Sequence, residues 1–264
     1  MIRVETVQVT FNPGTPLAQR ALDGIDLTIP PGQFLTVIVS NGAGKSTLLN
    51  VLSGDVIPEK GRVIIHEQDV TQKSTAQRAR LVARVFQNPL TGSCANLTVE
   101  ENLALAYRRG QARGLRPALN HSIRNEFQEQ LARLGLGLEK RLGDRMGLMS
   151  GGQRQAIALL MSTLAPNQIL LLDEHTAALD PKTAAYVLQL TRMIVAERGL
   201  TTLMVTHSMR QALTLGDRTV MLHEGRIIFD VSGVERAGLE VTDLLRRFEE
   251  LRGEELADDA LLLS

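Results

Sequence analysis

The stretch Ser40-Asn-Gly-Ala-Gly-Lys-Ser-Thr47 carries the most legible chemistry in the 264-residue chain. It follows the apolar run Phe34-Leu-Thr-Val-Ile-Val39, which reads as a buried strand. Lys45 to Leu52 then reads as a helix ended by Gly54. A glycine-rich turn between strand and helix points backbone N–H groups inward, and the helix N-terminus adds positive partial charge. Such a cradle binds phosphate. Ser40, Asn41, Gly42, Ala43, Gly44, Lys45, Ser46 and Thr47 are therefore candidate nucleotide-binding residues, with Lys45 set to reach the β- and γ-phosphates and the Ser46 hydroxyl to ligate Mg²⁺. The pattern Gly-x-x-x-x-Gly-Lys-Ser/Thr would place its first glycine at position 39, where this chain has Val39. Positive φ is costly for a β-branched residue. The favoured expectation is a turn strained by about 1–3 kcal/mol, relieved by glycine with tighter nucleotide binding. The other account keeps β dihedrals at Val39, with its side chain packed under the loop.

A second element lies downstream. Ile169-Leu-Leu-Leu-Asp-Glu174 is an apolar strand ending in two acids. A carboxylate there can hold Mg²⁺ beside phosphates, and that role falls to Asp173. Glu174 comes next and points differently; it can polarise a water for attack on the γ-phosphate. Taken alone, two acids at a strand end suit a helix N-cap equally well. The upstream phosphate loop gives them their meaning.

The elements that must position these groups alternate along the chain. Val4, Val7 and Val9, then Leu22 to Ile29, Phe34 to Val39 and Arg62 to Ile65 read as strands. Val99 to Ala106 and Ile123 to Leu134 read as helices, the first opened by a capping box in Thr98-Val-Glu-Glu101. Phe127, Leu131 and Leu134 share one face of the second. The basic run Arg108 to Arg116 reads as a solvated face. Ile169 to Leu172 is a buried strand, and Asp180-Pro181 an N-cap with proline at the first helical position. Gly199 ends that helix; Thr201 to Val205 is a strand. Thr219 to Leu222 and Arg226 to Val231 form a hairpin around Glu224-Gly225, and Val241 to Arg252 is an amphipathic helix.

Composition narrows the function. Hydrophobic residues make up 44% and charged residues 22%, as in an ordinary globular domain. Lys plus Arg and Asp plus Glu are each 29, so the net charge is zero, which argues against a nucleic-acid partner. The lone Cys94 excludes an internal disulfide framework and a cysteine-based zinc cluster, and suits a reducing compartment. The apolar runs are far shorter than the roughly 20 residues a spanning helix needs, and a cytoplasmic chain is expected.

Met149-Ser-Gly-Gly-Gln-Arg154 resembles the signature motif Leu-Ser-Gly-Gly-Gln of ATP-binding cassette (ABC) ATPases. A helix N-terminus capped by Ser150 is compatible with this. The resemblance covers about residues 1–230 and implies further roles. Gln87, in Val85-Phe-Gln-Asn-Pro89, looks like the glutamine that senses Mg²⁺ and the attacking water. Ala177-Ala-Leu-Asp180 resembles the loop that crosses the dimer. His207, 33 residues after Glu174, looks like the histidine that contacts the γ-phosphate. Phe11 sits where the family places an adenine-stacking aromatic. His175 stands where most members have proline, and is read as a variant because Glu174 already fills the base role.

The implied fold is α/β: a P-loop NTPase core with an antiparallel β subdomain over 1–87 and 166–230, an inserted helical subdomain at 88–165 and a C-terminal helical tail at 231–264. The implied cofactors are ATP and Mg²⁺. Two copies would sandwich ATP head to tail, each site receiving Ser150, Gly151, Gly152 and Gln153 from the other copy. The implied partners are an integral membrane permease, docked on the surface from Gln87 to about Thr98, and indirectly a substrate-binding protein. The chain would then lie on the inner face of the cell membrane. The stretches Gln87–Asn102 and Asp173–Pro181 resemble a narrower group from bacterial uptake systems for small solutes, amino acids among them. Two other readings are a soluble ABC ATPase acting on nucleic acid or ribosomes, and a regulatory subunit that binds ATP and scarcely hydrolyses it.

Overall fold

A computed structural model describes residues 1–39, 44–111, 117–165 and 169–252. Ser40, Asn41, Gly42 and Ala43 of the phosphate loop lie outside the described residues, as do the last residues of the basic run and the end of the tail. The first part of the chain holds β1 (Ile2–Phe11), β2 (Gln19–Ile29), β3 (Phe34–Val39), α1 (Lys45–Ser53), β4 (Lys60–Ile65) and β5 (Gln68–Asp69). Then come α2 (Thr75–Arg78), β6 (Val82–Val85), α3 (Val99–Tyr107), α4 (His121–Ala132), α5 (Gly151–Leu164), β7 (Ile169–Asp173) and α6 (Pro181–Arg198). The last part holds β8 (Thr201–Thr206), α7 (Met209–Thr214), β9 (Arg218–His223), β10 (Arg226–Ser232), α8 (Gly233–Ala237) and α9 (Val241–Arg252).

The chain divides into two compact units, Met1–Thr75 with Gly199–Ser264, and Ala76–Arg198. In the first unit, β2, β1, β4 and β5 form an antiparallel sheet in that order. Val4 and Val7 are three residues apart, yet both are buried. Strict alternation would put them on opposite faces. Thr6, at φ 49°, takes up the difference in a bulge where the β1–β2 register shifts. The second sheet of this unit pairs β3 in parallel with both β8 and β9, and β10 closes it antiparallel to β9. Its β9–β10 turn places Glu224 at φ 45° and Gly225 at φ 75°, the two positive values a two-residue hairpin turn requires. Ile38, Met209, Ala212, Met221 and Leu244 form a core cluster here.

In the unit Ala76–Arg198, β6 and β7 pair in parallel, and α3, α4 and α5 pack on one another. Phe127, Leu131 and Leu134 are all buried, as their shared face requires. Thr98 caps α3: its hydroxyl accepts the Glu101 N–H at 3.2 Å, and the Glu101 carboxylate accepts the Thr98 N–H at 2.7 Å.

Val39 departs from the favoured expectation. It is the last residue of β3, fully buried, paired in register with Leu222, and it is not among the positive-φ residues. The strand simply continues through it, so the valine carries no left-handed strain and its side chain is packed. A Val39→Gly variant is therefore expected to lose about 2–3 kcal/mol of stability, from lost burial and a weakened strand, with no gain in ATP affinity. Denaturant midpoints and ATP binding measured on both forms check this; a glycine variant of unchanged stability and tighter binding would restore the strain account.

Candidate active site

Lys45, Gln87, Asp173, Glu174 and His207 stand at or just past the carboxyl ends of parallel strands, where ligands of α/β sheets bind. In the first unit, β3 and β8 run in register with Ile38 opposite Thr206. The chain leaving β3 returns at Gly44 and Lys45, and the chain leaving β8 continues into His207. Gly44 precedes α1 at φ 88°, and a Cβ there would lie 2.1 Å from the Ala21 carbonyl oxygen. Only glycine fits. Lys45 Nζ lies 3.2 Å from His207 Nε2, and His207 Nδ1 lies 3.2 Å from the Val39 carbonyl oxygen. A carbonyl only accepts, so Nδ1 carries the hydrogen and Nε2 accepts from the ammonium. Ser46 is exposed in the first turn of α1, while Thr47 is buried. Phe11 ends β1 with its ring 41% exposed.

In the unit Ala76–Arg198, β6 and β7 pair with Val85 opposite Leu172. Gln87 follows β6 and is exposed; Asp173 ends β7 and Glu174 follows it, both buried. Glu174 is held at φ 41°, an uncommon conformation for a residue with a side chain. Its carbonyl accepts the Ala177 N–H at 2.9 Å, which starts the turn toward α6. At the far end of that turn, the Asp180 carboxylate accepts the Thr183 N–H at 3.1 Å. Bonds from Thr183 hold this carboxyl below the ordinary aspartate range.

Ser150 caps α5 through a capping box: its hydroxyl accepts the Gln153 N–H at 3.3 Å, and Gln153 Oε1 accepts the Ser150 N–H at 3.1 Å. Ser150 itself is exposed. Gly152 has a packing reason, since a Cβ there would lie 2.2 Å from Thr183 Cγ2 of α6. Gly151 sits beside it, 3.5 Å from Leu179 by the same measure.

Three supporting residues carried no signal in the sequence. Arg84 Nη2 lies 2.8 Å from Asp173 Oδ2. Arg141 Nη1 donates to Gln153 Oε1 at 3.2 Å. Thr191 on α6 meets His175. A lone arginine inside the apolar strand Val82–Val85 is the one hint that was available.

His175 is buried, with Nε2 3.0 Å from Thr191 Oγ1. The Thr191 hydroxyl donates to the Val187 carbonyl at 2.9 Å, so Nε2 of the imidazole is the donor to it. The imidazole thus ties the turn after β7 to α6. Burial lowers its pKa from 6.5 to about 4. Between these values the unfolded chain binds a proton that the folded chain does not. Stability therefore rises with pH across that window and is complete above it, a difference of about 3 kcal/mol. His175→Gln should lose this contribution to the slope: between pH 4 and 7 its unfolding free energy should change less than that of the unaltered chain. Parallel pH profiles for the two proteins would contradict the assignment.

Comparison with known proteins gives this geometry a context. The family profile described as ABC transporter matches residues 22–177, more than half of the chain. The chain is 42% identical over 251 residues to the tyrosine transport ATP-binding protein of Clostridioides difficile, covering 94% of this chain and 99% of that one. It is 38% identical to the thiamine import ATP-binding protein of Yersinia pestis, covering 78% and 82%. Among solved structures it resembles a dimeric ATP-binding cassette in a post-hydrolysis state bound to ADP and Pi, with TM-score 0.76 and 28% identity over 88% of this chain and 98% of that one. An ATP-binding cassette in its ADP conformation gives TM-score 0.78 at 25% identity, covering 96% and 99%. A lysine at the head of α1, two acids closing a buried strand and a serine-capped signature helix thus occur together in a chain that belongs to the ABC transporter family and is an ATPase.

Proposed function

We propose that this chain is the ATP-hydrolysing subunit of an importer for a small solute, working through a separate membrane permease. The observation that carries the reading is the 42% identity, over nearly the whole of both chains, to an ATP-binding subunit of tyrosine transport. An amino acid of that kind is the first solute to test. Among the described residues no helix is long and apolar enough to cross a membrane, so the translocation path needs another subunit. A cavity of about 350 Å³ in the unit Ala76–Arg198 supports the docking of that subunit. Phe86, Pro89, Leu105, Arg109 and Met161 line it, and Leu90 and Leu105 are exposed apolar side chains beside it. This is the surface that follows Gln87.

Each residue has a role in this reading. Lys45 neutralises the β- and γ-phosphates of ATP, exchanging His207 Nε2 for a phosphate oxygen. His207, anchored by its Nδ1–H on Val39, contacts the γ-phosphate through Nε2, which must gain a hydrogen to donate to a phosphate oxygen once Lys45 has left it. Ser40, Asn41, Gly42, Ala43, Gly44 and Thr47 complete the phosphate cradle, and Phe11 stacks on the base. Ser46, Asp173 and Gln87 offer oxygen donors, the kind Mg²⁺ prefers, and the metal would neutralise charge on the phosphates. Glu174 accepts the proton of the attacking water. Ser150, Gly151, Gly152 and Gln153 act on the nucleotide of a second copy, where the N-terminus of α5 faces phosphate.

Glu174→Gln should leave ATP binding near normal and slow hydrolysis by about 10²–10⁴-fold. It should also form an ATP-dependent dimer on size exclusion. Ser150→Arg should keep ATP binding in the monomer and lose hydrolysis, while Lys45→Ala loses binding itself. Near-normal turnover by the first variant removes the base, and lost binding by the second refutes action on a partner's nucleotide. For the transport reading, the chain should copurify with a permease. In proteoliposomes its ATP turnover should rise when a binding protein loaded with tyrosine is added; no rise with any amino acid would refute the amino-acid reading.

A further inference from the structure

The Arg84–Asp173 pair is nearly buried, with side chains 10% and 13% exposed and Nη2 2.8 Å from Oδ2. Arg84 lies in β6 in register with Leu171, two residues before Asp173 on β7. Its guanidinium also stands 4.7 Å from the centre of the Phe86 ring. The cation is thus held between an aromatic face and a carboxylate. A carboxylate removed from water requires a positive partner, and the guanidinium fills that need.

Mg²⁺ is bound through one or two carboxylates together with phosphate oxygens and waters, and not by an all-protein cage. Asp173 fits this mode. It is a hard oxygen donor at a strand end, and among the described residues no cluster of three or more His, Cys, Asp or Glu is gathered for a metal. The carboxylate that would face Mg²⁺ is the one already paired with a cation.

We propose that Arg84 is a positioning residue that holds the Asp173 carboxylate in place of the metal, so that Mg²⁺ must compete with the guanidinium for it. This rests on the reading of Asp173 as the Mg²⁺ carboxylate. Removing the guanidinium removes both the competitor and a unit of repulsion on the incoming dication.

The test is the Mg²⁺ concentration for half-maximal binding of a fluorescent ADP analogue, kept well below its Kd, so that no turnover enters the measurement. Arg84→Met should lower that concentration on the order of tenfold. Arg84→Gln, which keeps a donor to Asp173 without the charge, should lower it similarly. Arg84→Lys, which keeps the charge, should stay near the unaltered protein. Circular dichroism confirms folding of each variant, and if Arg84→Met fails to fold, Arg84→Gln carries the test. An unchanged or raised Mg²⁺ requirement in a folded, charge-free variant overturns the proposal. Asp173→Asn separates the premise: if it retains the normal Mg²⁺ dependence, the reading of Asp173 itself has failed. If Asp173→Asn abolishes the dependence while Arg84→Met leaves it unchanged, only the competition has failed.

Discussion

Parallel pairing in register is the constraint on which the polar chemistry rests. With Ile38 set opposite Thr206, the strands β3 and β8 end together, and everything that leaves them emerges at one edge. Lys45 and His207 are 162 residues apart in sequence and 3.2 Å apart in space for that reason. The register Val85 to Leu172 does the same in the other unit, bringing the exit toward Gln87 beside Asp173. Parallel strands must be covered on both faces, and β3, β7 and β8 are accordingly buried at every position. The apolar runs are thus the condition for a polar edge, because they hold the strand ends level.

At the strand ends of each unit, groups that water would otherwise solvate find partners made by the fold. Asp173 has Arg84, and His175 passes a hydrogen bond through Thr191 to the backbone of α6. His207 is bridged between a lysine and a carbonyl. Each contact joins residues far apart in sequence, and each would cost more to leave half-made than to omit. Glu174, just past β7, is held at φ 41°, a conformation worth about 1–2 kcal/mol of strain, and its carbonyl accepts the Ala177 N–H in the turn toward α6.

The capping and small residues serve packing and chemistry at once. Ser150 and Gln153 satisfy each other at the start of α5, which leaves the helix end ordered without covering it. Gly152 allows Thr183 of α6 to approach where any side chain would collide, and Gly44 does the same against Ala21. A signature of small residues is therefore explained by geometry before any ligand is considered.

The sequence by itself marked most of the longer strands and helices and supplied the residues proposed for the site. Short apolar runs marked β3 and β7; proline and glycine marked the limits of α6; a capping box announced α3 and a serine cap α5; and the glycine-rich turn with its lysine pointed to phosphate. These signals are local, set by dihedral preferences and by neighbours within a few residues. The signals that failed were those that needed to know what lies across a sheet. Val39 looked like a strained turn because the family pattern has glycine there, yet the strand runs through it to pair with Leu222. The spacing of Val4 and Val7 broke the alternation, but only the pairing with β2 placed the bulge at Thr6, whose N–H donates to Asp26 at 2.8 Å. Arg84 lies 89 residues from the aspartate it grips, and no local pattern joins the two. Only the tertiary structure decided these, because register, not composition, sets which side chains meet.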